Sequence, residues 1–191
     1  VNMDYTIGNI KIWIDTLIMN MTSATDCPSA KLGLCNVVAS GNMWKCYAYR
    51  PEQFRPDCLP FRRRQAEQWD TESIGSIADQ LNRAINSTRR KEAIKWVRFS
   101  EAGDFRNQAD VNKMSRLASL LDVPLYGYTA RQDLNYDSRS PNMTLNGSGF
   151  MIDNEFQAVT EITSKIVCQG NCRYCHMCKR PHGATIQVKL H

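Results

Sequence analysis

Apolar residues recur along the chain with two different periods. Within residues 65–85, Ile74, Ile77, Leu81 and Ile85 fall at spacings of three and four, the repeat of one buried helical face. Val111, Met114, Leu117, Ala118 and Leu121 predict a second amphipathic helix in the same way. Around these helices lie short runs rich in β-branched and aromatic residues. Residues 7–21 read as a first strand with its lead-in, Trp96-Val97-Arg98-Phe99 as a short buried strand, and residues 124–129 as another. Met143-Thr144-Leu145 and residues 150–159 add extended segments on either side of Asn146-Gly147-Ser148-Gly149. Residues 22–41 carry the Ser, Asp, Pro and Gly of a loop.

The order is therefore strand, loop, helix, strand, polar loop, helix, strand and extended pieces. Such alternation implies crossovers between parallel strands. At 191 residues the chain is shorter than the ~250 that eight full units need. The expected fold is α/β, either a partial (β/α) barrel or an open, mainly parallel sheet. Its functional loops should lie at the carboxyl ends of the strands. Residues 1–164 would form this domain, and residues 165–191 a basic, cysteine-rich, metal- or cluster-binding tail packed on it.

Composition narrows the class. A hydrophobic share of 42% supports a real core and excludes a disordered chain. No apolar run approaches the ~20 residues of a membrane span, so no membrane partner is expected. The first 21 residues are interrupted by Asp4, Lys11 and Asp15 and lack the pattern of a signal peptide, which predicts a cytoplasmic protein. On that view the sequons at Asn20, Asn86, Asn142 and Asn146 are chance matches. The net charge of +5 is unevenly spread: residues 165–191 hold five basic residues and no acidic one, whereas residues 99–164 hold five against nine. The basic tail, Arg62-Arg63-Arg64 and Arg89-Arg90-Lys91 offer contacts to a nucleic-acid backbone, or serve as solvated charge.

Cysteine carries the strongest chemical signal. Eight cysteines fall into two groups, Cys27, Cys35, Cys46 and Cys58, then Cys168, Cys172, Cys175 and Cys178. The tight C-terminal spacing disfavours bridging within the group and suits thiolates converging on one metal centre. Its first three cysteines have the C-x3-C-x2-C spacing of the radical S-adenosylmethionine signature, but Cys178 tends to fill the site. A closed [4Fe–4S] cluster or a structural zinc is expected there; His176, His182 and His191 all lie in this tail, and His176 and His182 would be outer neighbours or solvent-facing, or alternatively zinc ligands in place of a cysteine. Cys27, Cys35 and Cys46 lie on the loop after the first strand, where three thiolates suit a [4Fe–4S] cluster with one iron open, unless Cys58 closes it. Small buried cysteines in a long loop are the plain alternative.

Two strand ends add polar candidates. Glu101 and Asp104, in Ser100-Glu101-Ala102-Gly103-Asp104-Phe105, offer carboxylates to a ligand's ammonium or ribose, or for acid–base catalysis. They would alternatively only stabilise a turn. Arg131, closing Tyr128-Thr129-Ala130-Arg131, would meet a carboxylate or phosphate of a cofactor.

Taken together, Cys46-Tyr47-Ala48, the Arg98-Phe99…Gly103-Asp104 strand end, Tyr128-Thr129…Arg131 and residues 186–191 after the cysteine knot resemble a known group. These are the phage- and plasmid-borne cysteine-rich proteins called gene product 88-like, with some similarity to radical-SAM-related phage proteins. The ten-residue gap before Cys46 is longer than in the latter. The resemblance implies a phage-type iron–sulfur protein, in host cytoplasm if phage-encoded, and as one reading a minimal radical-SAM-like enzyme. Cys27, Cys35 and Cys46 would hold the catalytic cluster, with Glu101 and Asp104 as ligands of S-adenosylmethionine. The tail would hold a second cluster. The rival expectations are a nucleic-acid-binding or base-modifying protein with a structural zinc, and a non-catalytic protein that engages host machinery.

Overall fold

The computed structural model describes residues 3–9, 11–38 and 41–190. Its centre is one open sheet of eight strands: β1 (Thr6–Ile7), β2 (Thr16–Met19), β3 (Trp96–Phe99), β4 (Leu125–Thr129), β5 (Met143–Ser148), β6 (Asn154–Val159), β7 (Ile166–Val167) and β8 (Thr185–Lys189). The spatial order is β1-β2-β3-β4-β5-β6-β8-β7. β1 runs antiparallel to β2, and all other neighbours are parallel. The sheet does not close, so of the two expected architectures the open one is correct.

The 7–21 segment is a hairpin rather than one strand. The Asn9 side chain accepts from the backbone amides of Lys11 (2.8 Å) and Ile12 (3.1 Å), a local turn that competes with extended structure. β2 then enters the sheet fully buried, with Thr16–Met19 paired along Trp96–Phe99 of β3.

The helices are α1 (Pro28–Lys31), α2 (Tyr49–Phe54), α3 (Cys58–Thr71), α4 (Ile74–Ile85) and α5 (Gln108–Ala118), of which α3, α4 and α5 supply core residues to one face of the sheet. The helical stretch expected over 65–85 is broken at Ser73, whose backbone is extended and whose hydroxyl accepts from the Ser76 amide. That N-cap satisfies a donor the new helix would otherwise leave free. The core forms where Ile77, Leu81, Val111, Met114, Leu117 and Trp69 meet Leu17, Met19, Val97, Phe99, Leu125 and Leu145 from alternate strand positions. Each such side chain, once buried, contributes about 1.5–3 kcal/mol. Gly127 lets β4 pass Phe99, because a Cβ there would strike the Phe99 ring and carbonyl.

Helical crossovers occupy only half of the sheet. α1–α4 lie between β2 and β3, and α5 between β3 and β4, but β4, β5 and β6 are joined by loops. There the buried Asn154 amide donates to Asn146 Oδ1 at 3.0 Å, linking paired positions on β5 and β6. β8 pairs with β6 from Glu155↔Thr185 to Val159↔Lys189, so the last part of the tail belongs to the sheet itself. Among the described residues, no helix is long and apolar enough to cross a membrane.

Candidate functional site

The carboxyl ends of β2, β3 and β4 meet at Asp104. Its carboxylate accepts from Ser29 Oγ (2.6 Å), from the Ala130 amide (2.8 Å) and from the Phe105 amide (2.8 Å). One buried side chain thus ties the loop after β2 to the ends of β3 and β4. Burial raises the Asp104 pKa, with those hydrogen bonds opposing it. Gly103 makes the turn possible: its φ is +76°, and a Cβ there would collide with Thr22. Asn20, at the end of β2, accepts from the Ala102 amide at 2.8 Å and donates to Gln65 of α3 at 2.8 Å.

The cysteine loop is held from below by a buried ion pair. Glu52 of α2 accepts from the amides of Ala24 (2.7 Å) and Thr25 (2.9 Å) and from the Thr25 hydroxyl (2.7 Å). Arg62 of α3 donates to Glu52 and to the Ala48 carbonyl, each at 2.7 Å. The sequence pattern gave no sign of this pair. Arg62 belongs to the run considered for nucleic acid but is 5% exposed and occupied internally. Arg63 and Arg64 do face solvent, paired with Asp26 and Asp4.

The loop brings Cys35 into electrostatic range of both Cys27 and Cys46. Burial pushes the Cys27 thiol up to about 12, and Asp104 adds to the shift. Burial likewise raises Cys46, which packs against Ala24, Ala48 and Ala102. Cys58 opens α3 on the next element.

The other cysteine group lies on the sheet face that the helices leave uncovered. This face is polar and aromatic, because Trp96, Arg98 and Ser100 alternate with the core positions of β3, and Tyr126 and Tyr128 with those of β4. The Asn146 side chain donates to the Cys178 carbonyl (2.8 Å) and Asn154 to the Arg180 carbonyl (2.9 Å), pinning the tail across it. His176 packs on Trp96 with ring centroids 5.6 Å apart. His182 is exposed, and His191 lies outside the described residues. Cys178 is pushed up to about 12 by burial; the Tyr128 hydroxyl hydrogen-bonds it and opposes the rise, while Cys168, Cys172 and Cys175 add to it. The four thiols therefore share one electrostatic neighbourhood.

Two cations stand beside them. Lys179 is 2% exposed and reaches Asp15 at 3.8 Å while lying over the rings of Trp96 and Tyr126. Arg98 lies over the Tyr128 ring and, like Lys179, lowers the pKa of Cys172 against a larger effect of burial. Tyr126 OH, Trp96 Nε1, Ser100 Oγ and Arg98 Nε are buried with no hydrogen-bond partner among the described residues. Unpaired buried donors are costly, so several on one face mark a surface built to meet acceptors.

Arg98 also links the two cysteine groups. It donates at 3.1 Å to the hydroxyl of Tyr47, the residue after Cys46, and Tyr47 in turn donates to the Glu101 carbonyl at 2.7 Å. Tyr47 is 65% exposed, and its ring stands on the solvent side of this link. The Glu101 side chain is 25% exposed there and 3.7 Å from Arg62. Arg131 is buried, with its donors taken by the Phe105 and Arg106 carbonyls and by Asp133. Of the residues expected to act, the cysteine loop, Glu101 and Asp104 share one edge, and the tail cysteines cover the adjoining face. Arg98, Tyr126 and Tyr128 join the candidate site, signalled by aromatic and charged residues at every second position of β3 and β4, and Tyr47 joins it from the cysteine loop, where no strand pattern signals it. Among the described residues, no three His, Cys, Asp or Glu side chains close into a coordination shell.

A family model described as gene product 88 matches residues 5–185, nearly the whole chain, and the protein belongs to that family. No curated protein and no solved structure matches it.

Proposed function

We propose that this gene product 88 family member is an iron–sulfur protein with two unlike centres. The observation that carries the reading is the opposite electrostatic setting of its two cysteine groups. The tail thiols stand beside Lys179 and Arg98 with one buried carboxylate, Asp15. Four thiolates around a zinc ion or a [4Fe–4S] cluster leave a negative centre, which two cations and the hydroxyls of Tyr126 and Tyr128 would balance. Cys168, Cys172, Cys175 and Cys178 would hold this closed centre.

The loop thiols have carboxylates for neighbours instead. Asp104 acts on Cys27 and Glu52 on Cys46, while the nearby cation, Arg62, is shared by Glu52 and Glu101. Such a setting favours a positively charged ligand. Three thiolates leave one position of a [4Fe–4S] cluster open, and the radical-SAM-like reading places S-adenosylmethionine there, with its ammonium toward Glu101. When bound, the cluster would supply an electron to the sulfonium. The chain's own residues do the positioning: Asp104 fixes the loop against β3 and β4, Arg131 fixes the turn after Phe105, and the Tyr47–Arg98 bond ties the cysteine loop to β3.

Electron paramagnetic resonance of the reduced protein, with and without S-adenosylmethionine, tests this assignment. The expected spectrum changes on addition, and the change is lost in Cys46→Ala but kept in Cys175→Ala. A spectrum indifferent to the cosubstrate would reject the open site. A change that survives Cys46→Ala and vanishes in Cys175→Ala would reverse the two groups.

A further inference from the structure

The segment around Cys46 carries an exposed aromatic cluster whose outer rings, Trp44 and Phe54, lie outside both the core and the small apolar cluster on which Cys46 and Tyr49 pack. Trp44, in a 3-10 turn, meets Tyr49 edge-on, with centroids 5.4 Å apart at 87°, and Phe54 at 6.0 Å and 50°. Trp44 is 48% exposed and Phe54 75%. Contiguous exposed aromatics on a small protein mark an interaction surface. Their edge and tilted contacts fix the rings relative to one another while leaving ring surface open to a partner.

Charge decides what kind of partner fits. Residues 43–57 contain Lys45, Arg50 and Arg55, all exposed, against one exposed carboxylate, Asp57, since Glu52 is buried beneath. The Arg50 guanidinium donates to the Trp44 carbonyl at 3.3 Å, so a cation is fixed next to the ring cluster. Open aromatic faces among cations suit a polyanion whose bases are free to stack. A duplex has already stacked its bases on each other, whereas a single strand presents them.

We propose that Trp44 and Phe54, flanked by Lys45, Arg50 and Arg55, form a stacking platform for single-stranded nucleic acid. This surface is distinct from the arginine run, where Arg62 is buried and Arg63 and Arg64 are paired with acids.

The test is fluorescence anisotropy of a labelled oligothymidylate with the full chain at ~50 mM salt, where backbone attraction is strong. Trp44→Ala combined with Phe54→Ala should weaken binding at least about tenfold, the scale of a lost base stack. Trp44→Phe, which keeps a ring, should restore most of it, while circular dichroism shows each variant folded. Lys45→Gln with Arg55→Gln should flatten the salt dependence by about two phosphate contacts. The duplex of the same sequence should bind more weakly. Absence of oligonucleotide binding, or affinity unchanged in the double-alanine variant, would overturn the proposal. So would an aromatic dependence confined to anionic phosphatidylserine vesicles or to self-association.

Discussion

The Arg98 guanidinium donates to the Tyr47 hydroxyl at 3.1 Å, and this bond spans the space between the two cysteine groups. Arg98 stands on β3 under the tail, and Tyr47 follows Cys46 on the loop. Removing the cation and removing the bond therefore have different consequences. Arg98→Met should speed release of metal from the tail to a chelator several-fold, because the thiolates lose a counter-charge. Tyr47→Phe keeps the cation and removes two hydrogen bonds of the hydroxyl, to Arg98 and to the Glu101 carbonyl, costing about 1–2 kcal/mol, and should leave tail release unchanged. Equal release rates in the two variants would show that Arg98 does not act through charge.

Lys179 and Asp15 form a buried pair on the same face, and losing one partner strands the other. Lys179→Met should cost roughly 3–5 kcal/mol, the usual penalty for an uncompensated buried charge. The double variant Asp15→Asn, Lys179→Met should regain most of that loss. Denaturant titration of the three proteins checks both statements.

Glu52 holds the cysteine loop through two backbone amides and a hydroxyl while neutralising Arg62. Glu52→Gln leaves Arg62 buried without its closest carboxylate, so a loss of roughly 3–5 kcal/mol is expected. The defect should be local in its metal chemistry. Metal bound by the loop cysteines should be depleted, while metal bound by the tail is retained, which elemental analysis in the Cys175→Ala and Cys46→Ala backgrounds can separate.

Asp110 on α5 accepts from Trp69 Nε1 at 3.0 Å and from Arg106, which also bridges to Asp70 of α3. Burial works to raise its pKa, but the Arg106 and Trp69 hydrogen bonds prevail and hold it below the ordinary carboxylate value. A carboxylate whose folded pKa is depressed adds stability above its unfolded pKa of ~3.9 and loses it as pH falls through the folded value. Asp110→Asn should thus be less stable than the parent by about 2 kcal/mol at neutral pH, discounted because Arg106 is one-third exposed. The gap should narrow below pH ~4 in urea titrations. A gap independent of pH would remove ionisation from the explanation.

Much of the frame is legible in the chain. Trp96-Val97-Arg98-Phe99 reads as a buried strand because its neighbours are polar and its residues favour extended backbone, and β3 spans those residues. The break at Ser73 is not legible in the apolar repeat, which from Ile74 onward masks the capping serine just before it. Arg62 reads as surface charge in a basic run; its burial depends on Glu52, ten residues earlier on another helix, and no local pattern encodes that pairing. The grouping of the tail thiols follows from their spacing, but their position over Tyr126 and Tyr128 follows from β8 joining the sheet beside β6. Tyr47 and Arg98 are brought together by the path of the cysteine loop, which periodicity does not describe.

Iron and acid-labile sulfide measured per chain in anaerobically purified protein test the central reading most directly. The account predicts brown protein containing both, with Cys46→Ala and Cys175→Ala each losing a part and only Cys175→Ala losing substantial thermal stability, because metal binding contributes to folding of the tail. Colourless protein that carries zinc and no sulfide would contradict it.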